Sequence, residues 1–291
     1  MDIYGFMIVK DEVDILAQTL RSLEQFGGFR KIFIFDNGSA DGTFELLQTL
    51  VNDRIALHAL SNLFSDKLKF ENVYRHGNIL KEGDWFAILD ADEIYQESLY
   101  PIVQTAESEN ANYIESQSAQ FYFTEFESNY DFDPSIPATR QRQYYLLNYG
   151  EPRVFRFSEK IYLTSDRVKA RDPVLTPCSR KLLMHHFQFR STDQTQRRLN
   201  VRMANHSHSN NWGHINSANW KDYIVPAKHL HKFDGSIISG LPADANLYKI
   251  RDNAAYTMAN LNWLKKNNYL TAAQLGFFNA THWQRLIRKL L

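Results

Sequence analysis

Apolar segments of strand length alternate with segments of helical spacing through the first hundred residues of the chain. Runs typical of buried strands occupy residues 3–9, 31–36, 55–60 and 85–89. Apolar side chains at helical spacing occupy residues 11–26, 41–50 and 67–81. A helix between two strands lets both strands run in the same direction through a right-handed crossover. The alternation therefore predicts an α/β fold with a mostly parallel central sheet flanked by helices.

The pattern changes at about residue 110. Strands are predicted at 117–123 and 153–157, a polar and aromatic loop at 125–145, and a helix at 194–204. We therefore divide the chain into residues 1–110 and 111–205, two halves of one domain of which the second is mixed. Residues 206–291 are predicted to form a polar loop and a helical C-terminal extension.

Composition excludes several classes of function. Lys plus Arg and Asp plus Glu both number 33, and a net charge of zero argues against a nucleic-acid partner. The single cysteine, Cys178, cannot form an internal disulfide, which is typical of a reducing compartment. No apolar run reaches the roughly 20 residues that a membrane span needs, and no basic segment precedes the first strand. These features predict a cytoplasmic protein.

Charged side chains follow the predicted strands at the points where the strands end. Lys10, Asp11 and Glu12 follow the first strand, Asp36 ends the second, and the run 90–93 (Asp-Ala-Asp-Glu) follows the fourth. The carboxyl ends of parallel strands meet at one edge of a sheet, and this edge is where α/β proteins bind their ligands. We therefore expect these side chains to form one site.

Asp90 and Asp92 are spaced so that they can share one divalent cation. Carboxylate oxygens are hard ligands that suit Mg²⁺ or Mn²⁺, and a solvated acidic turn is the alternative. Asp36 can accept hydrogen bonds from a ribose or a base edge, and a simple strand–turn–helix junction is the alternative. The chain contains neither G-x-G-x-x-G nor a Walker-type phosphate loop.

Three motifs together resemble those of a family 2-type glycosyltransferase with the GT-A fold, as found in bacteria. They are Met7–Glu12, Asp36–Thr43 and Trp85–Glu93, and they occur in the family's order over roughly the first 110 residues. The segment Leu183–Ser191 also looks like a subgroup of bacterial members of this family. The resemblance implies a nucleotide-diphosphate-sugar donor, bound by residues 1–110, and an acceptor hydroxyl, bound by residues 111–205.

The resemblance also implies roles for individual residues. Lys10, Glu12, Asp36 and Asp90 would bind the donor, with Asp36 at the nucleoside and Asp90 near the ribose and the metal. Asp92 would bind the Mn²⁺ or Mg²⁺ ion that bridges the diphosphate. The reaction implied is inverting transfer to a glycan or lipid-linked acceptor, in the synthesis of cell-surface polysaccharide or glycan.

The segment after the predicted mixed strands supplies further candidates. His185 and His186 follow an apolar run, so their rings should point to opposite faces of a strand, and we expect His186 to be a metal ligand. A core histidine is the alternative. Arg190 is expected to bind the donor, because a guanidinium can bind a diphosphate through two nitrogens. Arg197 and Arg198 can do the same, and surface charges are the alternative for all three.

The catalytic base is the least constrained residue. The family carries its base in a late Glu-Asp dipeptide that this sequence lacks, so the assignment rests on carboxylates between the metal motif and the His pair. We expect Asp172 to be the base, held in an extended segment by Pro173, and Glu151 is the second candidate. A turn-forming aspartate and a Glu151–Arg153 salt bridge are the alternatives.

Two other functions remain compatible with the sequence. The first is a binding protein that kept the fold and lost the base. The second is a phosphohydrolase of the haloacid dehalogenase type, which also uses an Asp-x-Asp motif. That family expects Thr or Val two residues after the second aspartate, where this chain has Ile94. The basic amphipathic segment 283–291 can contact an anionic membrane surface or pack onto the catalytic lobe.

Overall fold

Four parallel strands form one half of the central sheet in a computed structural model of the chain. They are β1 (Ile3–Val9), β2 (Lys31–Asp36), β3 (Ile55–Ala59) and β4 (Trp85–Leu89), in the order β4-β1-β2-β3. The structure describes residues 1–60, 66–76, 78–127, 131–147, 151–158, 161–163, 168–170, 175–205 and 217–237. Val9 pairs with Asp36 and Met7 with Leu89, so the strands end at one edge of the sheet. The predicted parallel arrangement is confirmed.

Helices cover both faces of these strands. They are α1 (Leu16–Ser22, followed by a π-helical turn Leu23–Gly27), α2 (Thr43–Leu50), α3 (Asp66–Arg75) and α4 (Leu99–Ser108). Alternate residues of β2 point to opposite layers, as the strand period requires. Ile32 and Ile34 belong to the core that includes residues of α1, α2 and α4, whereas Phe33 and Phe35 belong to the core that includes residues of α3.

The first helix begins later than the sequence pattern predicts, at Leu16 rather than at residue 11. Asp11 has a positive φ of 56°, and the amides of Asp11, Glu12 and Val13 donate hydrogen bonds to side chains of the β2–α2 loop. These amides are therefore drawn out of the helix by competing side-chain acceptors. The prediction of a helix over 11–26 was wrong in its first turn.

The second half of the sheet is mixed. It consists of β5 (Glu93–Tyr95), β6 (Tyr113–Tyr122), β7 (Tyr144–Leu147), β8 (Pro152–Arg156), β11 (Leu182–His186) and β12 (His231–Lys232). In the order β12-β7-β6-β8-β4, each strand is antiparallel to its neighbours. Strand β11 lies parallel to β6 and antiparallel to β5. Strands β9 (Ile161–Leu163) and β10 (Val168–Ala170) pair with each other in a separate two-stranded antiparallel sheet.

Two further helices complete the described part of this half. They are the single turn α5 (Ala138–Gln141) and the long helix α6 (Thr192–Asn205). Short 3₁₀ turns follow at Trp220–Tyr223 and Ala227–His229. The predicted loop over 125–145 therefore contains α5 and the start of β7. The helix predicted at 194–204 is confirmed and extends slightly further at both ends.

Several predictions fall on residues outside the described ranges. They include Asp172 and the C-terminal segment 283–291, and most of the extension 206–291. Within the described ranges, no helix combines the length and the apolar character that crossing a bilayer requires. Described parts of residues 1–110 and 111–205 contribute strands to the same sheet.

One half-buried imidazole lies on β3, opposite Phe35 of β2. His58 in β3 stacks on Phe35 with ring centroids 5.0 Å apart, and its ring lies 5.2 Å from that of His76. Its Nε2 atom is buried without a hydrogen-bond partner. Burial, the neighbouring His76 and then Lys31 lower the pKa of His58 below its ordinary value. Protonation of His58 is therefore less favourable in the folded state than in the unfolded state.

The substitution His58→Phe should make stability less sensitive to acid. Because the folded pKa is lowered, the contribution of His58 is fully present above the unfolded pKa and is lost as the pH falls below about 6.5. We expect the difference in melting temperature, variant minus wild type, to be larger at pH 5 than at pH 8. Thermal unfolding by circular dichroism at both pH values measures this difference. The same difference in melting temperature at both pH values would contradict a lowered pKa for His58.

Candidate active site

The loop after β1 is tied to the loop after β2 by a set of hydrogen bonds. The amides of Asp11, Glu12 and Val13 donate, respectively, to Ser39 Oγ (3.0 Å), Thr43 Oγ1 (2.9 Å) and Asp41 Oδ2 (3.1 Å). The amide of Ala40 donates in return to Asp11 Oδ1 (2.7 Å). Gly42, with φ of 99°, allows the tight turn into α2. The backbone of Glu12 is therefore fixed at the edge where the strands end.

Asp36 forms the turn after β2 and also keeps an unused acceptor. Its Oδ1 accepts hydrogen bonds from the amides of Gly38 and Ser39, both at 3.1 Å. Its Oδ2 is buried without a partner, and so is Oδ1 of the next residue, Asn37. Buried acceptors are almost always paired in folded proteins, so these two oxygens are candidates to accept hydrogen bonds from a ligand. The turn role and the ligand role predicted for Asp36 are therefore compatible.

Arg190 is fully buried and lies under the end of β1. Its guanidinium bonds Glu12, Asp14 Oδ2 (2.9 Å from Nε) and the carbonyl of Phe187 (2.9 Å from Nη1). Its own carbonyl accepts a hydrogen bond from Arg142. Burial raises the pKa of Glu12 to about 7, although Arg190 and Arg198 oppose this. Glu12, Asp14 and the Phe187 carbonyl occupy the guanidinium of Arg190 in this arrangement, and its role in donor binding stays a prediction.

Asp92 lies at the centre of the cluster, with a side chain only 3% exposed. Its Oδ2 accepts a hydrogen bond from Arg198 Nη1 at 2.7 Å, and it lies 3.4 Å from His186 Nε2 and 3.9 Å from Arg190 Nη1. Burial alone would raise the pKa of Asp92, but Arg198 and then His186 hold it well below its ordinary value. Asp92 is therefore ionised throughout the neutral range.

Asp90 lies in a second group of charges beside the first. Its two oxygens bond Lys69 Nζ (2.5 Å) and Arg153 Nη2 (2.9 Å). The same Arg153 nitrogen lies 2.6 Å from Glu93 Oε1 and 3.4 Å from Glu151 Oε2. Burial would raise the pKa of Asp90, but Lys69 and Arg153 lower it, whereas burial raises the pKa of Glu93 to about 7. One arginine therefore links three carboxylates.

The two histidines of β11 point in different directions, as the strand period predicts. The ring of His185 packs among aromatic side chains, 5.2 Å from Phe121 and 5.3 Å from Phe233 between ring centroids, and burial lowers its pKa to about 3. His185 is therefore a core residue. His186 instead faces Asp92, and this carboxylate raises its pKa against the opposing effect of burial.

The structure brings most of the predicted site residues together. Glu12, Asp92 and His186 share one cluster, and Asp90 and Glu151 share the adjoining one. Lys10 lies after β1 with an exposed side chain. Among the residues that the structure describes, no group of three or more His, Cys, Asp or Glu side chains is arranged to hold a metal ion.

Two partners in the cluster were not predicted from the sequence. Asp14 bonds Arg190, and Lys69 bonds Asp90. Glu93, which was expected at this edge as part of the run 90–93, bonds Arg153. Lys69 and Asp14 lie in segments predicted only as amphipathic helix, where a polar residue is expected on the solvent side.

A model of the family described as glycosyl transferase family 2 matches residues 6–152, which is half of the chain. The chain belongs to glycosyl transferase family 2. The matched region contains all three motifs that resemble this family, and a mixed α/β architecture with a central sheet flanked by helices agrees with the GT-A fold. The family and fold predictions are thus confirmed. No curated protein matches the sequence.

Three solved structures of similar fold are compared with this chain. The structure of S. aureus TarS 1-349 is 10% identical with a TM-score of 0.38, and the match covers 70% of this chain and 64% of that one. Its complex with UDP is also 10% identical, with a TM-score of 0.36, and the match covers 69% of this chain and 64% of that one. The mannosyltransferase PcManGT from Pyrobaculum calidifontis, in complex with GDP-Man and Mn²⁺, is 12% identical with a TM-score of 0.33. That match covers 53% of this chain and 44% of that one. The chain thus spans less than two thirds of the length of these proteins.

The substitution Thr43→Val should weaken the tie between the two loops. It removes the hydroxyl that accepts from the buried Glu12 amide and donates to Asp41 Oδ1 (2.6 Å). An unpaired buried amide is costly, so we expect the free energy of unfolding to fall by about 2 kcal/mol. Urea unfolding measures this change.

Thr49→Val is the matched control, because Thr49 lies exposed on the same helix and bonds only the carbonyl of Leu46. We expect the control to change stability by less than about 0.5 kcal/mol. Equal losses for the two variants would contradict a specific role for the Thr43 hydroxyl.

Proposed function

We propose that this protein transfers a sugar from a nucleotide-diphosphate donor to an acceptor hydroxyl, with the help of a divalent metal ion. The observation that carries the proposal is the convergence of Glu12, Asp36, Asp90 and Asp92 at one sheet edge in a family 2 chain. The acceptor is a glycan or a lipid-linked molecule, the reaction is inverting, and the product belongs to cell-surface polysaccharide or glycan. This reading replaces the phosphohydrolase alternative, which the family match does not support.

Asp36 and Asn37 would receive the nucleoside. Both carry a buried acceptor oxygen without a partner, so they fit a ligand that offers N–H or O–H groups, such as a nucleobase edge or a ribose. The contact is to a part of the donor that does not react. It therefore contributes mainly to donor affinity.

Asp92 and His186 fit a divalent metal ion in chemistry and position. A carboxylate oxygen and an imidazole nitrogen that lie 3.4 Å apart are suitable ligands for Mn²⁺, and both side chains are held at the end of β4 and β11. Such ions commonly use one or two carboxylates and take their other ligands from water and phosphate. Asp90 would be the second carboxylate. When bound, the ion supplies positive charge that stabilises the departing diphosphate.

Glu151 is a candidate base. Its side chain is 48% exposed beside the buried charges of Asp90 and Arg153, so it is open to an incoming acceptor. Arg153 lowers the pKa of Glu151 more than burial raises it, so the carboxylate is ionised at neutral pH, as a base must be. Asp172 stays a proposal from the sequence alone.

The substitution Asp36→Ala should raise the donor KM more than it lowers kcat. The nucleoside contact contributes equally to the ground state and the transition state, so its loss costs binding rather than the chemical step. Steady-state kinetics with the donor varied measures both constants. Asp53→Ala, at an exposed position in the loop after α2, is the control and should leave both constants unchanged. An unchanged donor KM in Asp36→Ala would restrict Asp36 to its turn-forming role.

The substitution Asp92→Asn should abolish metal-dependent transfer while the protein stays folded. The amide keeps the shape of the side chain but loses the charge that holds a divalent ion, so we expect activity below about a tenth of wild type. EDTA should stop the wild-type reaction and Mn²⁺ or Mg²⁺ should restore it. Product formation measures activity, and circular dichroism checks the fold. A folded variant with higher activity would remove Asp92 from the metal site.

A further inference from the structure

Two arginines contact the same oxygen of Asp92 but differ in their surroundings. Arg190 is fully buried and is fixed by Glu12, Asp14 and the carbonyl of Phe187. Arg198 reaches the oxygen from α6, and its side chain is 24% exposed. Arg190 therefore cannot leave without uncovering buried charges, whereas Arg198 has solvent on one side and can move.

Arg198 lies on the oxygen that the proposed metal ion needs. The distance from Arg198 Nη1 to Asp92 Oδ2 is 2.7 Å, and His186 Nε2 faces the same oxygen from 3.4 Å. A guanidinium and a divalent ion repel each other strongly at such short range. Arg198 therefore has to leave Asp92 Oδ2 before a metal ion can bind between this oxygen and His186.

The second partner of Arg198 does not hold it firmly. Glu12 Oε1 lies 3.4 Å away, and Arg190 already bonds the other oxygen of that carboxylate. One turn further along α6 lies Arg202, where burial and then the cation of Arg198 lower the pKa to about 9. Two guanidinium groups therefore crowd the same face of α6 at the edge of the sheet. An anion placed between them would relieve this repulsion.

We propose that Arg198 exchanges partners during donor binding. It pairs with Asp92 in the donor-free protein and binds the diphosphate of the nucleotide sugar once a divalent ion has taken Asp92. The proposal deepens the function proposed above and rests on it. A diphosphate suits the released side chain, because a guanidinium presents its donors in a planar fork that matches phosphate oxygens.

The exchange gives Arg198 opposite effects on the two ligands. It competes with a metal ion that binds alone, and it favours a nucleoside diphosphate that binds together with the metal. Removing the guanidinium should therefore strengthen the first interaction and weaken the second. A residue that only supported the fold of the site would weaken both.

The experiment compares wild type with Arg198→Gln, Arg198→Lys and Arg197→Gln. Arg197 is the matched control, because it is the adjacent arginine on α6 and its side chain is exposed. Binding of MnCl₂ alone is measured by electron paramagnetic resonance of the free ion. Binding of UDP, GDP and dTDP at saturating MnCl₂ is measured by isothermal titration calorimetry, and circular dichroism reports the fold.

We expect Arg198→Gln to bind Mn²⁺ alone at least about fivefold more tightly than wild type, and to bind the preferred nucleotide about tenfold more weakly. Arg198→Lys keeps the charge and loses the fork, so Mn²⁺ affinity should stay near wild type while nucleotide affinity falls. Arg197→Gln should match wild type in both measurements. If Arg198→Gln does not fold, wild-type nucleotide affinity in Arg198→Lys overturns the exchange.

Two results separate this inference from the proposed function. If wild type binds UDP, GDP or dTDP with Mn²⁺ but Arg198→Gln shows unchanged or weaker Mn²⁺ affinity, the exchange is wrong and the donor site stands. If wild type binds none of the three nucleotides in the presence of Mn²⁺, the proposed donor site itself is wrong, and the exchange is overturned with it.

Discussion

The buried guanidinium of Arg190 holds the two halves of the candidate site together. It joins Glu12 and Asp14, which follow β1, to the segment between β11 and α6, and it lies 3.9 Å from Asp92 after β4. Removing one partner of a buried ion pair costs about 3–5 kcal/mol, because the remaining charge is left unpaired. The positions of Asp92, His186 and Arg198 relative to one another therefore depend on Arg190.

The other charges are arranged around this interaction in alternating sign. Arg198 lies between Asp92 and Glu12, and Arg153 lies between Asp90, Glu93 and Glu151. Each of these five carboxylates is thus already paired with a cation of the protein itself. A divalent ion alone would disturb this balance, whereas an ion that enters together with a diphosphate brings charge of both signs. If the protein has the function that we propose, the site would therefore suit metal and nucleotide together better than either ligand alone.

The sequence predicted the features that depend on residues close together in the chain. The bounds of β1, β2 and β4 agree with the apolar runs, and the meeting of Asp36 and Asp92 at one edge follows from parallel strands. The pairing of Lys69 with Asp90 and of Asp14 with Arg190 could not be predicted, because these partners lie 21 and 176 residues apart in the chain. The late start of α1 was missed for the same reason, since its first amides bond side chains of another loop.

The central claim is that this edge of the sheet consumes a nucleotide sugar. Its most direct test is the release of nucleoside diphosphate by wild-type protein from a panel of UDP-, GDP- and dTDP-sugars in the presence of Mn²⁺. The account predicts that at least one sugar donor is consumed and that EDTA stops its consumption. Folded protein that binds Mn²⁺ and nucleoside diphosphate but releases none from any donor would contradict the claim of transfer and leave a nucleotide-sugar-binding protein.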